Sequence, residues 1–334
     1  MRLLILIFSL ICFNAFSQEI TPEKFKEIKI LAERGDAVAQ YTLGDYYLRG
    51  TGVPVDEVEA VKWYRKSAEQ GNALGQCFLG YCYWEGLGIL KKDQVEALKW
   101  YRKSAEQGNA YAQFNLGYSY FNGEGVLKDE VEAVKWYRKS AEQGNAYAKC
   151  NLGYSYFNGK GVLKDEVEAV KWFRSSAEQG NAYAQCNLGL CYENGTGVLK
   201  DQVEAVRLYR KSAEQGNEVA QDNLGRCYKN GTGVLKDQVE AVRLYRKSAE
   251  QGYAEAQCDL GYCYDTGTGV LKDQVEAYAY YNLASITNEV AQKNRSVIEK
   301  TMTQSQIEAG QKRSKELQKE IETKKGQTSK NQIN

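Results

Sequence analysis

A block of about 36 residues recurs seven times along the chain, and this repeat constrains the fold more than any other feature. The tetrapeptide Ala-Glu-Gln-Gly recurs at intervals of 37, 36, 36, 36 and 36 residues, ending at Gly71, Gly108, Gly144, Gly180, Gly216 and Gly252. A period of this length is typical of solenoids, in which each repeat buries its apolar face only against its neighbours. The sequence therefore predicts one array rather than the two or so domains that 334 residues would otherwise suggest.

Each repeat reads as two helices joined by a turn. Positions are counted from the first residue of a repeat, so Asn109 is position 1 of repeat 3. Leu at position 8 and Tyr at position 12 recur in all seven repeats, a spacing that predicts one buried face on a first helix. After a Gly-x-Gly turn, Asp and, three residues later, Glu recur as in Asp129 and Glu132. This pair predicts a capping box, in which Asp accepts from a helix amide and Glu reaches back to the cap.

These patterns predict an all-α protein, an α/α solenoid of helix-turn-helix repeats with polar helices at both ends. In the second helix of repeat 3, Val131 is among the residues predicted to face the core. We expect a capping helix within residues 18–35, two capping helices within 289–325 and a disordered tail over 326–334. The repeats themselves are predicted at residues 36–71, 72–108, 109–144, 145–180, 181–216, 217–252 and 253–288.

Residues 1–17 carry the features of a secretory signal peptide. Arg2 supplies a positive start, an apolar run extends from Leu3 to Phe13, and Ala15-Phe16-Ser17 resembles a cleavage site. The run is short for a membrane span, which needs about 20 residues, so cleavage is favoured over a signal anchor. The sequence thus predicts cleavage after Ser17, a secreted or periplasmic protein, and no membrane insertion afterwards.

Composition excludes several kinds of chemistry. The chain contains no His, which rules out Ser-His-Asp and Cys-His catalysis and imidazole metal ligands. Lys and Arg total 44 against 43 Asp and Glu, so the basic face that nucleic acid requires is not indicated. The Gly-x-Gly turns precede helix starts already occupied by Asp and Glu, which repel phosphate. We therefore predict no catalytic residue, no metal and no cofactor.

Eight cysteines remain after the predicted cleavage, four at position 6 and four at position 11. Two such cysteines on one helix point about 140° apart, so they cannot pair with each other. Position 11 is predicted to be a small buried slot, filled by Ser119 and Ser155 in two repeats. A bridge between neighbouring repeats, such as Cys150 to Cys191 or Cys227 to Cys258, stays open.

The consensus A-x(3)-L-G-x(2)-Y-x(2)-G-x-G-V-x(2)-D-x(3)-A-x(2)-W/L-Y-x(3)-A-E-Q-G, over residues 36–288, resembles the Sel1-like repeat, a relative of the tetratricopeptide repeat. The resemblance implies a right-handed superhelix whose first helices line a concave face. It also implies a scaffold or adaptor that holds other proteins, and many members are secreted or periplasmic. A few secreted cysteine-rich members are associated with β-lactam binding or hydrolysis, but this chain has neither His nor a Ser-x-x-Lys motif.

Positions 3, 6, 10 and 13 of the first helix vary most between repeats and form one stripe. The stripe is aromatic in repeats 2 to 4 and at the start of repeat 5, at Tyr81, Trp84, Tyr111, Phe114, Tyr118, Phe121, Tyr147, Tyr154, Phe157 and Tyr183. A row of asparagines runs beside it, with Asn115, Asn151 and Asn187 among its members. In repeats 5 to 7 the stripe becomes largely charged, at Glu193, Asp222, Arg226, Lys229, Glu255 and Asp265.

The favoured hypothesis is a non-catalytic scaffold of the cell envelope, a monomer that binds a protein or extended peptide along this stripe. Aromatic side chains would anchor the partner and the asparagines would bond its backbone. The stripe aromatics are alternatively packing groups that fill the space between neighbouring first helices. Two other functions stay open, a β-lactam or cell-wall hydrolase by family association and an envelope glycan binder.

Overall fold

The computed structural model describes residues 20–331, so the predicted signal peptide lies outside the described residues. Those residues form 17 α-helices and no strand. They divide into two compact units, residues 20–176 and residues 177–331, called here the N-terminal and C-terminal units. The all-α helix-turn-helix repeat architecture predicted from the sequence is confirmed.

Helices in the N-terminal unit alternate between first helices (even labels) and second helices (odd labels) after one leading helix. Their bounds are α1 Pro22–Glu33, α2 Ala37–Arg49, α3 Glu57–Glu69, α4 Ala73–Glu85, α5 Gln94–Glu106, α6 Ala110–Asn122, α7 Glu130–Glu142, α8 Ala146–Asn158 and α9 Glu166–Ala177. The C-terminal unit keeps the same alternation through α15. Its bounds are α10 Ala182–Asn194, α11 Gln202–Glu214, α12 Glu218–Asn230, α13 Gln238–Ala249, α14 Ala254–Thr266, α15 Gln274–Ala284, α16 Glu289–Glu299 and α17 Gln304–Asn331.

Each second helix begins at the aspartate predicted to cap it. In repeat 3 the Asp129 side chain accepts a hydrogen bond of 2.9 Å from the Glu132 amide, which satisfies one of the unpaired donors of the first turn. The returning half of the predicted capping box does not form, because the Asp129 amide already donates to the Tyr120 carbonyl at 2.9 Å. The Glu132 carboxylate instead accepts from Lys135 at 2.8 Å, one turn along the helix.

Within a repeat, the two helices approach closely at the glycine of position 9. A Cβ atom on Gly117 would lie 2.8 Å from the ring of Tyr137 and 3.1 Å from the Ala133 carbonyl oxygen. The Tyr137 ring and Leu116 are buried at this contact, at 1% and 0% exposure. The Ser140 hydroxyl adds a 2.6 Å hydrogen bond to the Ala110 carbonyl at the start of the first helix. Small residues and one hydroxyl therefore hold the helix pair together.

Neighbouring repeats are joined through the tyrosine of position 12, which is half-buried rather than fully in the core. Arg65 of repeat 1 donates to the Tyr83 hydroxyl of repeat 2 at 3.0 Å, and its guanidinium lies 5.7 Å from the same ring. Arg210 makes the same bond to Tyr228 in the C-terminal unit, also at 3.0 Å. A half-buried ring and a partly or fully exposed cation thus share each of these two junctions.

The C-terminal end is covered by α16 and α17, and a full capping box starts α17. The Thr303 hydroxyl accepts from the Gln306 amide, and Gln306 Oε1 accepts from the Thr303 amide at 2.8 Å. Helix α17 packs on α15, where Arg313 pairs with Glu276 at 2.8 Å. The sequence predicted that this helix ends near residue 325. It continues to Asn331, and no proline in the segment interrupts it.

Candidate functional site

The predicted aromatic stripe divides into inner positions, 6 and 13, and outer positions, 3 and 10. Trp84 and Phe114, at positions 13 and 6, are only 2% and 4% exposed and belong to the core. The Phe114 ring lies 6.0 Å from both Tyr137 of its own repeat and Tyr147 of the next, so it fills the gap between them. The prediction that Trp84 and Phe114 contact a partner is therefore wrong, and the packing alternative holds for these two.

Most other stripe aromatics are half-buried, and several of them pack against other aromatic rings. Phe157 lies 6.4 Å from Phe173 of the paired second helix, and Tyr118 lies 6.4 Å from Phe114. Burial, with a smaller contribution from the Glu124 carboxylate, raises the pKa of Tyr118. The half-buried stripe aromatics are Tyr81, Tyr111, Tyr118, Phe121, Tyr147 and Phe157. Each of these presents part of its ring to the solvent side of the stripe.

Three tyrosines at outer positions of the stripe stand furthest into solvent. Tyr154, Tyr183 and Tyr262 are 40%, 47% and 41% exposed, more than any other aromatic side chain between residues 20 and 326. Tyr154 lies in the N-terminal unit, and Tyr183 and Tyr262 lie in the C-terminal unit. The Tyr154 ring meets Phe121 edge-on at 6.2 Å, and the Lys160 ammonium lies 5.6 Å from the Tyr154 ring centre. Such contacts hold Tyr154 in place while 40% of the residue stays exposed.

The asparagine row is part of the internal frame. Asn151 makes a side-chain hydrogen bond with the Tyr137 hydroxyl of the preceding repeat, although burial still raises the pKa of Tyr137. In the C-terminal unit, the matching Asn223 is buried, and its amide lies 3.9 Å from the Cys186 sulfur. Asn115 and Asn187 are half-buried at the same register. The prediction that this row bonds a partner backbone is wrong for Asn151, because its side-chain amide is already hydrogen-bonded to Tyr137.

The charged part of the stripe lies in the C-terminal unit and surrounds one buried carboxylate. Asp222 has a side chain only 2% exposed, 3.7 Å from the Arg226 guanidinium. Burial is the main cause that raises the pKa of Asp222 to about 7, and the nearby Asp259 carboxylate adds to it. Asp259 lies 3.8 Å from Lys229, whose ammonium sits 4.1 Å from the centre of the Tyr262 ring.

All eight described cysteines are buried, and none of them is in a disulfide. Burial raises the pKa of Cys77 and of Cys186 to about 12, so the reactive thiolate form is rare at neutral pH. The slot predicted at position 11 is confirmed, since Cys191 and Ser119 are 1% and 0% exposed there. No group of three or more acidic, histidine or cysteine side chains in residues 20–331 is arranged to hold a metal ion.

Sequence reasoning missed an apolar row on the loops between the helices. The leucine of position 19 is nearly fully exposed, as shown by Leu127 at 90% and Leu163 at 91%. Val131, predicted to be buried, is 55% exposed because it lies in the first turn of α7, at the edge of the helix pair. The recurring Val-Leu-Lys-Asp sequence was the available signal, since its leucine is followed directly by the polar Lys and Asp. None of the helices within residues 20–331 is long and apolar enough to cross a membrane.

A family model describes nearly all of the repeat region. The Sel1 repeat matches seven times, at residues 37–72, 73–109, 110–145, 146–181, 182–217, 219–253 and 254–285. These matches agree with the helix pairs α2–α3 through α14–α15. The repeat assignment made from the consensus is therefore confirmed.

Solved structures and a curated relative give the same result. A Sel1 repeat protein from Oxalobacter formigenes is 37% identical over 73% of this chain and 96% of its own, with a TM-score of 0.67. The protective antigen c5321 of uropathogenic Escherichia coli is 32% identical over 94% of this chain and 83% of its own, with a TM-score of 0.53. A putative sel1-like repeat-containing protein, L18 of Acanthamoeba polyphaga mimivirus, is 42% identical over 50 residues, which span only 9% of that protein. The chain belongs to the Sel1 repeat family.

Proposed function

We propose that the protein is an interaction scaffold of the cell envelope that binds an extended protein segment along the outer positions of its first helices. Sel1 repeat proteins are generally scaffolds for protein interactions. The observation that carries the proposal is the exposure of stripe tyrosines in each unit taken by itself, Tyr154 in the N-terminal unit and Tyr183 and Tyr262 in the C-terminal unit. Tyrosine offers a large amphipathic contact with few rotatable bonds, which is why it is enriched at binding hot spots.

The frame around these tyrosines supports a preformed surface. Gly117, Leu116 and Tyr137 lock the helix pair of repeat 3, and the ring of Phe121 supports Tyr154 from the side. A partner that binds such a surface orders few side chains of the scaffold, so less conformational entropy opposes binding. The outer tyrosines are the anchors in this account, and the inner aromatics hold them in position.

An envelope or extracellular location is supported by the N-terminal sequence, in which Arg2 precedes an apolar run that ends before Ala15-Phe16-Ser17. Free thiols are compatible with an oxidising compartment when they are inaccessible, and all eight described cysteines are buried. Mass spectrometry of the protein from its native cell tests the location. A mature chain that begins at Gln18 is expected, and a chain that retains Met1 in the cytosol would contradict it.

The binding proposal is tested by affinity purification from the native cell with two matched variants. The stripe variant carries Tyr154→Ser, Tyr183→Ser and Tyr262→Ser. The control variant carries Leu163→Ser, Leu199→Ser and Leu271→Ser on the loops, where the side chains are about twice as exposed. We expect the stripe variant to lose the protein that wild type retains, with an unchanged circular dichroism spectrum. Retention by the stripe variant, or loss by the loop variant alone, would overturn the proposal.

A further inference from the structure

The first helices of repeats 6 and 7 carry an excess of acidic groups on the stripe and in the row beside it. Helix α12 contributes Asp222, Arg226 and Lys229, and helix α14 contributes Glu255 and Asp259. The electrostatic influence of both Asp259 and Glu255 reaches Asp222, so the three carboxylates face a common region. The Arg226 and Lys229 cations oppose the two neighbouring carboxylates at Asp222, and a further positive charge is favoured there.

Asp222 is the least satisfied member of this cluster. Its side chain is only 2% exposed, and its Oδ1 atom has no hydrogen-bond partner. The Arg226 guanidinium approaches only to 3.7 Å, and it donates a hydrogen bond to Asn223 instead. Position 6 holds the neutral Cys186 in repeat 5 and the neutral Cys258 in repeat 7, so the repeat frame does not require a charge there. A buried carboxylate oxygen without a hydrogen bond is costly to the fold, which points to a role beyond packing.

Lys229 shows what kind of group the neighbouring surface accepts. Its ammonium lies 4.1 Å from the centre of the Tyr262 ring and 3.8 Å from the Asp259 carboxylate. An aromatic face next to a carboxylate is the usual environment for a bound cation. The Lys229–Asp259 distance is long for an ion pair, and the Tyr262 ring is 41% exposed, so an incoming cation can replace Lys229.

We propose that Asp222, Asp259 and Tyr262 form a subsite for a lysine or arginine side chain of the bound protein segment. The incoming cation takes the place of Lys229 on the Tyr262 ring and satisfies the acidic cluster. This inference rests on the proposed function, because it names the chemistry of the group that the C-terminal part of the stripe recognises. Its ligand class follows from the charge, and an acidic peptide would be repelled by the same cluster.

The test uses hexa-arginine and hexa-glutamate peptides as probes, with binding to the full mature chain measured by calorimetry at physiological salt. Hexa-arginine is expected to bind and hexa-glutamate is not. Asp222→Asn and Asp259→Asn should each weaken hexa-arginine binding about tenfold, the loss of one charge-assisted contact. Lys229→Gln removes the internal competitor and should tighten it. The matched control is Glu214→Gln, which removes one exposed negative charge on the second helix α11 and should change nothing.

Three results would overturn the subsite. Equal weakening by Glu214→Gln and Asp222→Asn would mean diffuse attraction, and weaker binding by Lys229→Gln would mean that Lys229 has no competing role. The proposed function is tested independently, by the binding of the native partner to the stripe variant. If Tyr154→Ser loses the partner but the wild type does not bind hexa-arginine, the subsite alone is contradicted. If the stripe variant binds the partner unchanged, the proposed function is contradicted.

Discussion

The Tyr154 ring rests edge-on against Phe121, with 6.2 Å between ring centres and 71° between ring planes. The two rings come from the first helices of adjacent repeats, at positions 10 and 13. Phe121 also lies 6.2 Å from the buried Tyr137, so the exposed ring is tied to the core through one intermediate aromatic. This geometry links the repeat frame to the surface that we propose binds a partner.

The glycine of position 9 is required for helix pairing, and replacing it should destabilise the array. Gly117→Ala places a Cβ 2.8 Å from the Tyr137 ring, which cannot retreat from a filled core. We expect a loss of about 1–3 kcal/mol in the free energy of unfolding, as for other overpacked cores. Urea denaturation measures it. Gly326→Ala is the control, because no atom lies within 4 Å of that site and alanine favours the helix by about 0.5–1 kcal/mol. Equal effects of the two changes would contradict the packing account.

The slot at position 11 should prefer cysteine to serine. The Ser119 and Ser155 hydroxyls are buried and have no hydrogen-bond partner, whereas Cys191 fills the same slot with a weakly polar sulfur. A buried unpaired hydroxyl costs about 1–3 kcal/mol, so Ser119→Cys should raise the melting temperature. The reverse change, Cys191→Ser, should lower it. Differential scanning calorimetry under reducing conditions decides the point, and a fall in melting temperature for Ser119→Cys would show that the hydroxyl is satisfied.

Asp222 should make stability depend on pH. Burial and the Asp259 carboxylate raise its pKa from the ordinary value of 3.8 to about 7 in the fold, against the opposing charge of Arg226. A raised carboxyl pKa favours the protonated folded protein, so this stabilisation is full below pH 4 and is lost as the pH rises through about 7. The Asp222→Asn variant is neutral at every pH, so its free energy of unfolding does not show this loss, which is at most about 4 kcal/mol.

Chemical denaturation of wild type and Asp222→Asn between pH 4 and pH 8 measures this difference. The amide variant should gain stability relative to wild type as the pH rises. The exposed Glu214→Gln change supplies the baseline for removal of one carboxylate. Parallel curves for wild type and Asp222→Asn would mean that the carboxylate is ionised in the fold without penalty.

The sequence was sufficient for the repeat frame because the same short-range chemistry recurs in every repeat. Asp129 at a helix start and Gly117 between two helices each follow from local geometry. The absence of the predicted returning bond from Glu132 could not be foreseen, because it depends on the Asp129 amide donating to the Tyr120 carbonyl of the other helix. Such competition between partners appears only when both helices are in place.

The candidate site was predicted less well, for a reason visible in Phe114 and Tyr154. Helical periodicity places both on one stripe, but it does not say how deep each ring lies. Position 6 leans toward the second helix and buries Phe114 to 4% exposure, whereas position 10 leaves Tyr154 at 40%. The burial of Asp222 could not be predicted for the same reason, since a charged residue at a variable position is expected to be solvated.

Photo-crosslinking tests the central claim most directly. Benzoylphenylalanine placed at residue 154, 183 or 262 would lie on the outer stripe, and the same group at residue 163 would lie on the loop of repeat 4 with greater exposure. The account predicts that one native partner crosslinks from the stripe sites and not from residue 163. Crosslinking of that partner from residue 163, with none from residues 154, 183 and 262, would contradict it.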